Sequence, residues 1–306
     1  MTGKKAVIAL GGNAFLEKDQ KGTFEEQIKN VNKGSKEIVK LIKKGWQVVI
    51  THGNGPQVGA ILMQQDATKE VPEMPMYICG AESQGLMGYM LCESLGNELR
   101  KNGIKKDVVT FLTRVVVDKN DHAFKNPTKP VGSSYKTKNG LPKDWTVKET
   151  FRGFRRVVPS PDPKEIIEAE TIKRTVPNAI VVACGGGGIP VFRKGKEILG
   201  VDAVIDKDKA SELLARNIGA DTLIILTDIK SLYLNWRKEN EQKLGTITLQ
   251  EAKKYYKEGH FLSGSMGPKI EASINFLENG GKRVVICLFE DLEKALEEKA
   301  GSMIKN

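Results

Sequence analysis

Three glycine clusters, each directly after a short apolar segment, could form loops that bind a phosphate group. They are Gly11-Gly12-Asn13, Gly53-Asn54-Gly55 and Gly185 to Gly188. Because glycine has no side chain, backbone N–H groups in such loops can approach a phosphate closely, and a following helix adds the positive end of its dipole. One such loop is typical of a tight turn, but three at strand ends indicate a site for a phosphorylated ligand.

Two lysines at predicted helix starts could supply the positive charge that a phosphate site needs. Lys207 and Asp208 open one helix, and Lys269 follows Gly267-Pro268 at the start of another. A lysine taken alone is usually a solvated surface charge. Together with the glycine loops, these lysines favour phosphoryl transfer, which depends mainly on positioning and on cations around the transferring oxygens.

Two common nucleotide-binding motifs do not account for these glycines. No G-x-x-x-x-G-K-[ST] motif occurs, since Gly195-Lys196 precedes Glu197 and Gly281-Lys282 precedes Arg283. The segment 53–59 loosely resembles a dinucleotide fingerprint, but one glycine is a place late and the later acidic residue is missing. The sequence therefore argues against a P-loop NTPase and against nicotinamide binding.

The three histidines do not form a recognisable catalytic or metal-binding set. His52, His122 and His260 share no metal-ligand spacing and have no evident nucleophile partner. A hydrolase built on histidine is therefore not expected. His52 adjoins a glycine loop, and both a structural role and contact with substrate stay open for it.

The elements that must position these residues alternate between β-branched apolar runs and helical patterns. Strands are expected at 6–10, 47–51, 108–118, 179–184, 222–228 and 283–289. Helices are expected at 23–44, 82–102, 206–217, 249–258 and 268–279. This alternation predicts an α/β fold, an open αβα sandwich with a mainly parallel sheet.

One segment, 119–156, breaks this alternation and carries most of the excess positive charge. The whole chain of 306 residues has a formal net charge of +10, and this segment holds ten lysines and arginines against three acids. It lacks periodicity and is punctuated by proline and glycine. The two interpretations are a solvated basic loop and an anion-binding lid, and the neighbouring motifs favour a protruding basic subdomain that acts as a lid.

Composition and cysteine usage indicate a soluble protein of a reducing cytoplasm. Apolar residues make up 40% of the chain and charged residues 28%, which is typical of a globular protein with a sizeable core. Cys79, Cys92, Cys184 and Cys287 form no C-x-x-C pair. No apolar run approaches the ~18 residues of a membrane helix, and the apolar run at 6–10 is too short for a signal peptide.

Six segments, in order along nearly the whole chain, resemble the carbamate kinase family of the amino-acid-kinase fold. They are ALGGNA (9–14), THGNGPQVG (51–59), NPTKPVG (126–132), VVPSP (157–161), VDAVIDKD (201–208) and GSMGPK (264–269). The resemblance implies an eight-stranded open αβα sandwich with a mobile protruding subdomain, usually assembled as a homodimer. It also implies a phosphotransferase that converts ATP and carbamate into ADP and carbamoyl phosphate, reversibly.

The resemblance implies a role for each candidate residue. Gly11, Gly12 and Asn13 would receive the transferring phosphoryl group, and Gly53, Asn54 and Gly55 would meet carbamate. Catalytic roles would fall to Lys129, which reaches in from the protruding subdomain, and to Lys207, Asp208 and Lys269, with Asp208 orienting both ammonium groups. ATP would lie near Thr227, Asp228, Tyr233, Trp236, Met266 and Gly267, with Mg²⁺ held mainly by its phosphates and not by protein ligands.

The same resemblance predicts the organisation of the chain. A single amino-acid-kinase domain over 1–306 would comprise an N-terminal lobe, about 1–205, with the carbamate and phosphoryl site and the protruding subdomain at about 119–156. A C-terminal lobe, about 206–306, would hold the nucleotide. The expected partners are ATP or ADP, carbamate and carbamoyl phosphate, with no nucleic acid and no membrane. Family members usually form ATP from carbamoyl phosphate in arginine or ureido catabolism.

Two rival functions stay open from the sequence. One is another acyl-phosphate-forming kinase of the same fold, acting on acetylglutamate, aspartate or glutamate, against which the segment around Lys129 argues. The other is a catalytically silent nucleotide-binding regulator, suggested only by the altered lid, where the segment 135–150 is short and Phe154 and Glu82 depart from the family pattern. Departures at Lys230-Ser231-Leu232 and Trp236 concern the adenine contacts. The presence of Lys207, Asp208 and Lys269 argues against loss of catalysis. A nucleic-acid binder rests on charge alone.

Overall fold

The computed structural model describes residues 4–17, 19–68, 70–143, 145–150, 153–261 and 266–306. The strands are β1 Lys5–Leu10, β2 Gln47–His52, β3 Asp107–Thr110, β4 Arg114–Val117, β5 Lys129–Tyr135, β6 Val147–Thr150, β7 Gly153–Val158, β8 Pro163–Ile166, β9 Ala179–Val182, β10 Ile189–Lys194, β11 Glu197–Gly200, β12 Thr222–Leu226, β13 Leu232–Leu234, β14 Gln242–Leu244, β15 Thr246–Thr248, β16 Arg283–Cys287 and β17 Ser302–Lys305. The α-helices are α1 Phe24–Lys43, α2 Gly55–Asp66, α3 Met76–Lys101, α4 Ala169–Thr175, α5 Lys207–Asn217, α6 Leu249–Lys257, α7 Met266–Glu278 and α8 Leu292–Leu296.

An eight-stranded sheet forms the centre of the molecule, in the order β15-β17-β16-β12-β1-β2-β9-β3. Neighbouring strands pair in parallel except β16 with β17. In the middle, Ile8 of β1 lies opposite Ile224 on one side and Ile50 on the other. The predicted open αβα sandwich with a mainly parallel sheet is confirmed.

The central strands are apolar throughout because helices cover both faces of the sheet. Along β1, Val7 and Ala9 pack into one apolar cluster, and Ala6, Ile8 and Leu10 pack into the other. Successive side chains of a strand point to opposite faces, so one strand serves both cores. Burial on both faces explains why such strands appear in the sequence as unbroken apolar runs.

Polar residues fix where several helices begin. Thr23 accepts a hydrogen bond from the Glu26 N–H and the Glu26 carboxylate accepts from the Thr23 N–H, which forms a capping box at the start of α1. Thr248 and Glu251 form a second capping box before α6. Asp206 caps α5. Each cap satisfies N–H groups that have no partner within the helix.

Three smaller sheets accompany the central one in the described part of the chain. A four-stranded sheet has the order β11-β10-β4-β8, a three-stranded antiparallel sheet has the order β5-β7-β6, and β13 pairs with β14 in a two-stranded sheet. The segment in which periodicity vanishes therefore contains β5 and β6, and β7 extends just past it to Val158. This three-stranded sheet, the described residues of 129–158, is called the basic hairpin sheet below.

The single strand expected over 108–118 is wrong, because the chain changes sheets within it. β3 joins the central sheet, whereas β4 pairs with β8 and β10. At the change, Gln84 accepts from the Thr113 N–H, and the Thr113 carbonyl accepts from the Ile189 N–H. These long-range bonds leave no periodic signal in the sequence.

The helices also differ from those expected. Helix α3 begins at Met76, before the expected residue 82, while α2, α4 and α8 were not predicted. Helix α2 begins within the glycine motif 53–59 and is only weakly amphipathic, so its residues show no clear helical periodicity in the sequence. Within the described residues, no helix is long and apolar enough to cross a membrane.

Candidate active site

The first glycine loop follows β1 and turns tightly at the edge of the sheet. Gly12, Asn13 and Ala14 form one 3-10 turn, in which the Ala14 N–H donates to the Gly11 carbonyl over 3.1 Å. A Cβ atom at Gly11 would lie 2.9 Å from the Leu226 carbonyl oxygen of β12, so the close approach requires glycine. Nothing lies near the corresponding position at Gly12, which leaves this backbone open to a ligand.

The second glycine loop follows β2 and lies against the first. The Gly53 N–H donates to the Leu10 carbonyl over 3.0 Å, which joins the two loops. Asn54 is buried and its amide donates to Ser83 Oγ over 2.8 Å. Gly55 then begins α2, so the N-terminus of this helix faces the same edge of the sheet.

The third glycine cluster differs from expectation, because it packs inside the protein behind the other two loops. Gly185 to Gly188 are all buried. A Cβ atom would lie 2.5 Å from His52 Nε2 at Gly185 and 2.2 Å from Asn54 Nδ2 at Gly186. These glycines therefore permit tight packing behind the second loop and do not line an open phosphate site.

Lys207 and Lys269 meet at one carboxylate. Lys207 Nζ donates to Asp208 Oδ1 over 2.6 Å, and Lys269 Nζ donates to Asp208 Oδ2 over 3.1 Å. The side chains of Lys207, Asp208 and Lys269 are only 14%, 3% and 6% exposed. This trio is called the buried lysine cluster below. Two ammonium groups against one carboxylate leave a net positive charge, which suits an anionic ligand.

Burial and neighbouring charges act in opposite directions on the Lys207 ammonium. Burial lowers the pKa of Lys207, while the adjacent Asp208 carboxylate raises it and the Lys269 charge lowers it further. An anionic phosphoryl group beside both lysines would restore the balance and favour the charged forms. The cluster is therefore arranged for a ligand with several negative oxygens.

Lys129 lies at the start of β5 and reaches the same region through Asp206. Lys129 Nζ donates to Asp206 Oδ2 over 2.8 Å. Burial raises the pKa of Asp206, but the charge and hydrogen bond of Lys129, the Asp208 N–H and the Lys207 charge lower it more, to about 2. Asp206 is thus ionised at neutral pH, beside the buried lysine cluster.

His52 is buried and uncharged. Burial is the largest effect and lowers the pKa of His52 to about 4, aided by the Lys207 charge and opposed by the bond from Nδ1 to the Gly53 carbonyl. Because a carbonyl oxygen only accepts, Nδ1 carries the proton in that bond, whose length is 3.1 Å. The ring packs against Phe15 with centroids 5.5 Å apart. These contacts favour the structural interpretation of this histidine.

A cavity of about 710 Å³ opens beside the first glycine loop and the buried lysine cluster. Its lining includes Gly11, Gly12, Lys207, Lys269, Thr227 and Asp228. The side chains of Thr227 and Asp228 are joined by a hydrogen bond of 3.2 Å. The first glycine loop and the two lysines of the buried cluster thus border a space large enough for a nucleotide phosphate chain, whose lining also includes Lys33 and the carboxylates of Glu17, Glu37, Asp228 and Glu290.

The sequence profile of the Amino acid kinase family matches residues 4–288 of this chain. Carbamate kinase from Pyrococcus horikoshii is 53% identical over 310 residues, covering 98% of this chain and 99% of that protein. Carbamate kinase from Giardia lamblia bound to AMP-PNP superposes with a TM-score of 0.93 and 46% identity, covering 99% of both chains. The chain belongs to the carbamate kinase group of the amino acid kinase family.

Two further comparisons differ in how much they share with this chain, the first only the fold. N-acetylglutamate synthase from Neisseria gonorrhoeae superposes with a TM-score of 0.62 at 14% identity and aligns over 61% of its own length. Carbamate kinase from Trichomonas vaginalis, at 44% identity, again aligns over 98% of this chain and 99% of its own.

The remaining residues expected near nucleotide form a separate group. The Tyr233 and Trp236 rings lie 4.8 Å apart between centroids, and Trp236 is 38% exposed. Met266 and Gly267 begin α7, within one helical turn of Lys269, and the preceding Gly264 and Ser265 of the same motif lie outside the described residues. None of these four described residues is part of the cavity lining.

The cavity includes residues that sequence reasoning missed. Its outer wall is formed by α1, including Asn30 and Gly34, and by Leu288 and Phe289 after β16. A Cβ atom at Gly34 would lie 2.6 Å from Phe289 Cζ. A glycine in the middle of a helix lowers stability, so Gly34 within the predicted helix 23–44 was the one sequence feature that could have indicated close packing of another residue there.

Proposed function

We propose that this chain catalyses reversible phosphoryl transfer between ATP and carbamate, giving ADP and carbamoyl phosphate. The observation that carries this proposal is the buried lysine cluster at the mouth of two glycine loops, in a chain similar to carbamate kinases over nearly its whole length. Positioned cations around the transferring group are the main requirement of such a reaction.

The transferring phosphoryl group would lie between the first glycine loop and the buried lysine cluster. N–H groups at Gly11, Gly12 and Asn13 would bind its oxygens from one side, and Lys207 and Lys269 from the other. Asp208 holds both ammonium groups in fixed positions, so little reorganisation is needed as charge develops.

Carbamate would bind at Gly53, Asn54 and Gly55, where the N-terminus of α2 favours an anion. Its carboxylate oxygen attacks the γ-phosphorus, the bond from that phosphorus to the bridging oxygen breaks, and ADP leaves with the electron pair. The nucleophile is already an anion, so no general base has to remove a proton. Neutral, buried His52 is consistent with that chemistry.

Lys129 would close over the reacting groups from the basic hairpin sheet, and the nucleotide would extend over the C-terminal part of the chain. Thr227 and Asp228 would lie nearest its phosphates, and Tyr233, Trp236, Met266 and Gly267 further along it. In this arrangement residues 1–205 form the carbamate and phosphoryl lobe, with a subdomain at 119–156, and residues 206–306 form the nucleotide lobe.

The donor set fits a Mg²⁺ ion that is held chiefly by nucleotide phosphates. In the part of the chain that the structure describes, no group of three or more His, Cys, Asp or Glu side chains could hold a metal. Asp228 is one carboxylate in the cavity lining, and Mg²⁺ commonly binds through one or two carboxylates, phosphates and water. When bound, the ion would neutralise phosphate charge.

A homodimer is the proposed assembly. Leu86 and Tyr89 of α3 and Leu112 beyond β3 are exposed apolar side chains, 42%, 60% and 54% accessible. A second copy of the chain could cover them.

We also propose that the protein acts in the cytoplasm and that it forms ATP, consuming carbamoyl phosphate from arginine or ureido catabolism.

A coupled assay of ATP formation tests the proposal. Carbamoyl phosphate, ADP and Mg²⁺ should give robust turnover that disappears when a chelator removes the divalent metal. The reverse assay should release more ADP with carbamate than with acetylglutamate, aspartate or glutamate. Absence of transfer in both directions would instead support a nucleotide-binding regulator, and preference for a larger acceptor would support another kinase of the family.

A further inference from the structure

Asp206 joins the basic hairpin sheet to the helix that carries the buried lysine cluster. Its Oδ2 accepts a hydrogen bond from Lys129 Nζ over 2.8 Å, with side-chain exposures of 37% for Lys129 and 14% for Asp206. The two residues are 77 positions apart in the sequence. A charge-assisted bond of this length in a half-buried setting restricts where the ammonium can lie.

The second oxygen of Asp206 has a different partner. Oδ1 accepts from the Asp208 N–H over 2.9 Å and so caps the first turn of α5. One carboxylate therefore fixes both the start of the helix that bears Lys207 and Asp208 and the position of Lys129. Its orientation is determined by the cap, which makes it a rigid anchor for the lysine.

The basic hairpin sheet has its apolar attachment elsewhere. Val131 and Val158 pack with Val58 and Leu62 of α2, and Gly132 approaches Gly59. This packing fixes the base of the sheet on one side of the candidate site. The Lys129–Asp206 pair adds a charged attachment to α5, on the other side.

We propose that Asp206 is the positioning residue for Lys129, holding its ammonium beside the buried lysine cluster so that three cations surround the transferring phosphoryl group. The expected effect of Asp206 on turnover rests on the proposed function. Asp206 touches no substrate in this account and acts through Lys129. The anchoring itself is a property of the protein without substrate.

Two substitutions separate anchoring from helix capping. Asp206→Ser keeps a good cap for α5 but removes the carboxylate that Lys129 needs, whereas Asp206→Glu keeps the carboxylate and weakens the cap. Asp162→Asn is the matched control, because Asp162 also pairs with a lysine of α5, Lys209, which keeps Glu271 as a second partner.

The two variants should show opposite patterns. Asp206→Ser should lower kcat/KM for carbamoyl phosphate about five- to tenfold, with the KM for ADP within about twofold and little change in melting temperature. Asp206→Glu should keep kcat/KM within about threefold while melting earlier. In a Lys129→Ala background, Asp206→Ser should cost almost nothing further, since the residue it positions is gone.

A measurement without turnover tests the anchoring directly. An amine-reactive ester followed by peptide mass spectrometry should label Lys129 several-fold faster in Asp206→Ser than in the wild type and in Asp162→Asn. Exposed Lys136 on the same sheet should react equally in all three. Because this readout needs no activity, a failure of the proposed function would appear as wild-type inactivity with the labelling difference intact.

Three results would overturn the proposal. One is equal labelling of Lys129 in the wild type and Asp206→Ser. Another is a loss of kcat/KM from Asp206→Ser that is the same with and without Lys129. The third is a kcat/KM that depends on how well residue 206 caps α5, so that it is retained in Asp206→Ser and lost in Asp206→Glu.

Discussion

The buried lysine cluster and the basic hairpin sheet both present cations, but they hold them in different ways. Lys207 and Lys269 are nearly inaccessible and share Asp208. Lys129 is 37% exposed, and the sheet that carries it has rings stacked with cations, with Arg156 4.9 Å from the Trp145 ring centroid and Lys138 5.3 Å from that of Phe154.

The difference follows from the cost of removing charge from water. An ammonium in the interior needs a paired carboxylate and fixed geometry, so the buried lysine cluster is rigid before any ligand arrives. The ammonium of Lys129 keeps part of its contact with water, so its single ion pair with Asp206 does not have to offset a full loss of hydration. The protein thus combines a buried phosphate site with a partly exposed cation, and the variants below test that division.

Removal of the Asp208 carboxylate should have the largest effect. Asp208→Asn leaves two buried ammonium groups without their shared partner, so kcat should fall at least ~10³-fold and the free energy of unfolding by ~3 kcal/mol. Steady-state kinetics measure kcat, and urea denaturation measures the free energy of unfolding. Glu212→Gln is the control, because Glu212 is a buried carboxylate of the same helix paired with Arg216. Equal loss of kcat in both variants would mean that folding, and not the cluster, was affected.

Loss of either buried lysine should be next in size. Lys207→Ala and Lys269→Ala should each lower kcat on the order of 10²-fold, as removal of one oxyanion donor does. Lys209→Ala serves as the control, since Lys209 lies on α5 but pairs with Asp162 and Glu271 at the surface. Near-normal kcat in both lysine variants would remove them from the site.

Lys129, the partly exposed cation, should matter less than the buried lysines. Lys129→Ala should lower kcat/KM for carbamoyl phosphate at least ~10-fold, the effect expected of one lost transition-state cation that is partly exposed. Unchanged steady-state kinetics would make the segment an ordinary basic surface.

His52 should affect stability more than catalysis. The folded state keeps its pKa at about 4, whereas the ordinary value is 6.5, so the unfolded chain binds a proton first as the pH falls. The free energy of unfolding should therefore decrease between about pH 6.5 and 4, by up to ~3 kcal/mol. Urea denaturation across this range should show a steeper decrease in the wild type than in His52→Gln. Parallel curves would contradict the burial of a neutral ring.

Local sequence predicted the features that depend on neighbouring residues. Burial sets the apolar runs of β1 and β12, and the Asp206 cap sets the helix start at Lys207, and both effects act within a few residues. The family resemblance added the roles of the lysines. Neither source indicated that Gly185 would pack against His52, because that contact depends on the paths of separate loops.

The partners of charged residues were partly predictable. Asp208 adjoins Lys207 in the sequence, and the resemblance implied that it orients both lysines. In the structure, both lysines donate hydrogen bonds to Asp208. Asp206 as the partner of Lys129 was not predicted, because the two belong to different sheets and helices and only the docked basic hairpin sheet brings them together. Long-range ion pairs of this kind have no signal in a single sequence.

Calorimetric titration of ADP into Lys129→Ala tests most directly whether the buried site binds the nucleotide while the exposed Lys129 contributes to turnover. If the nucleotide rests on the buried site and the C-terminal part of the chain, the Kd for ADP should stay within about threefold of the wild type, although turnover falls at least ~10-fold. A Kd raised as much as kcat/KM is lowered would place Lys129 on the nucleotide and contradict the division.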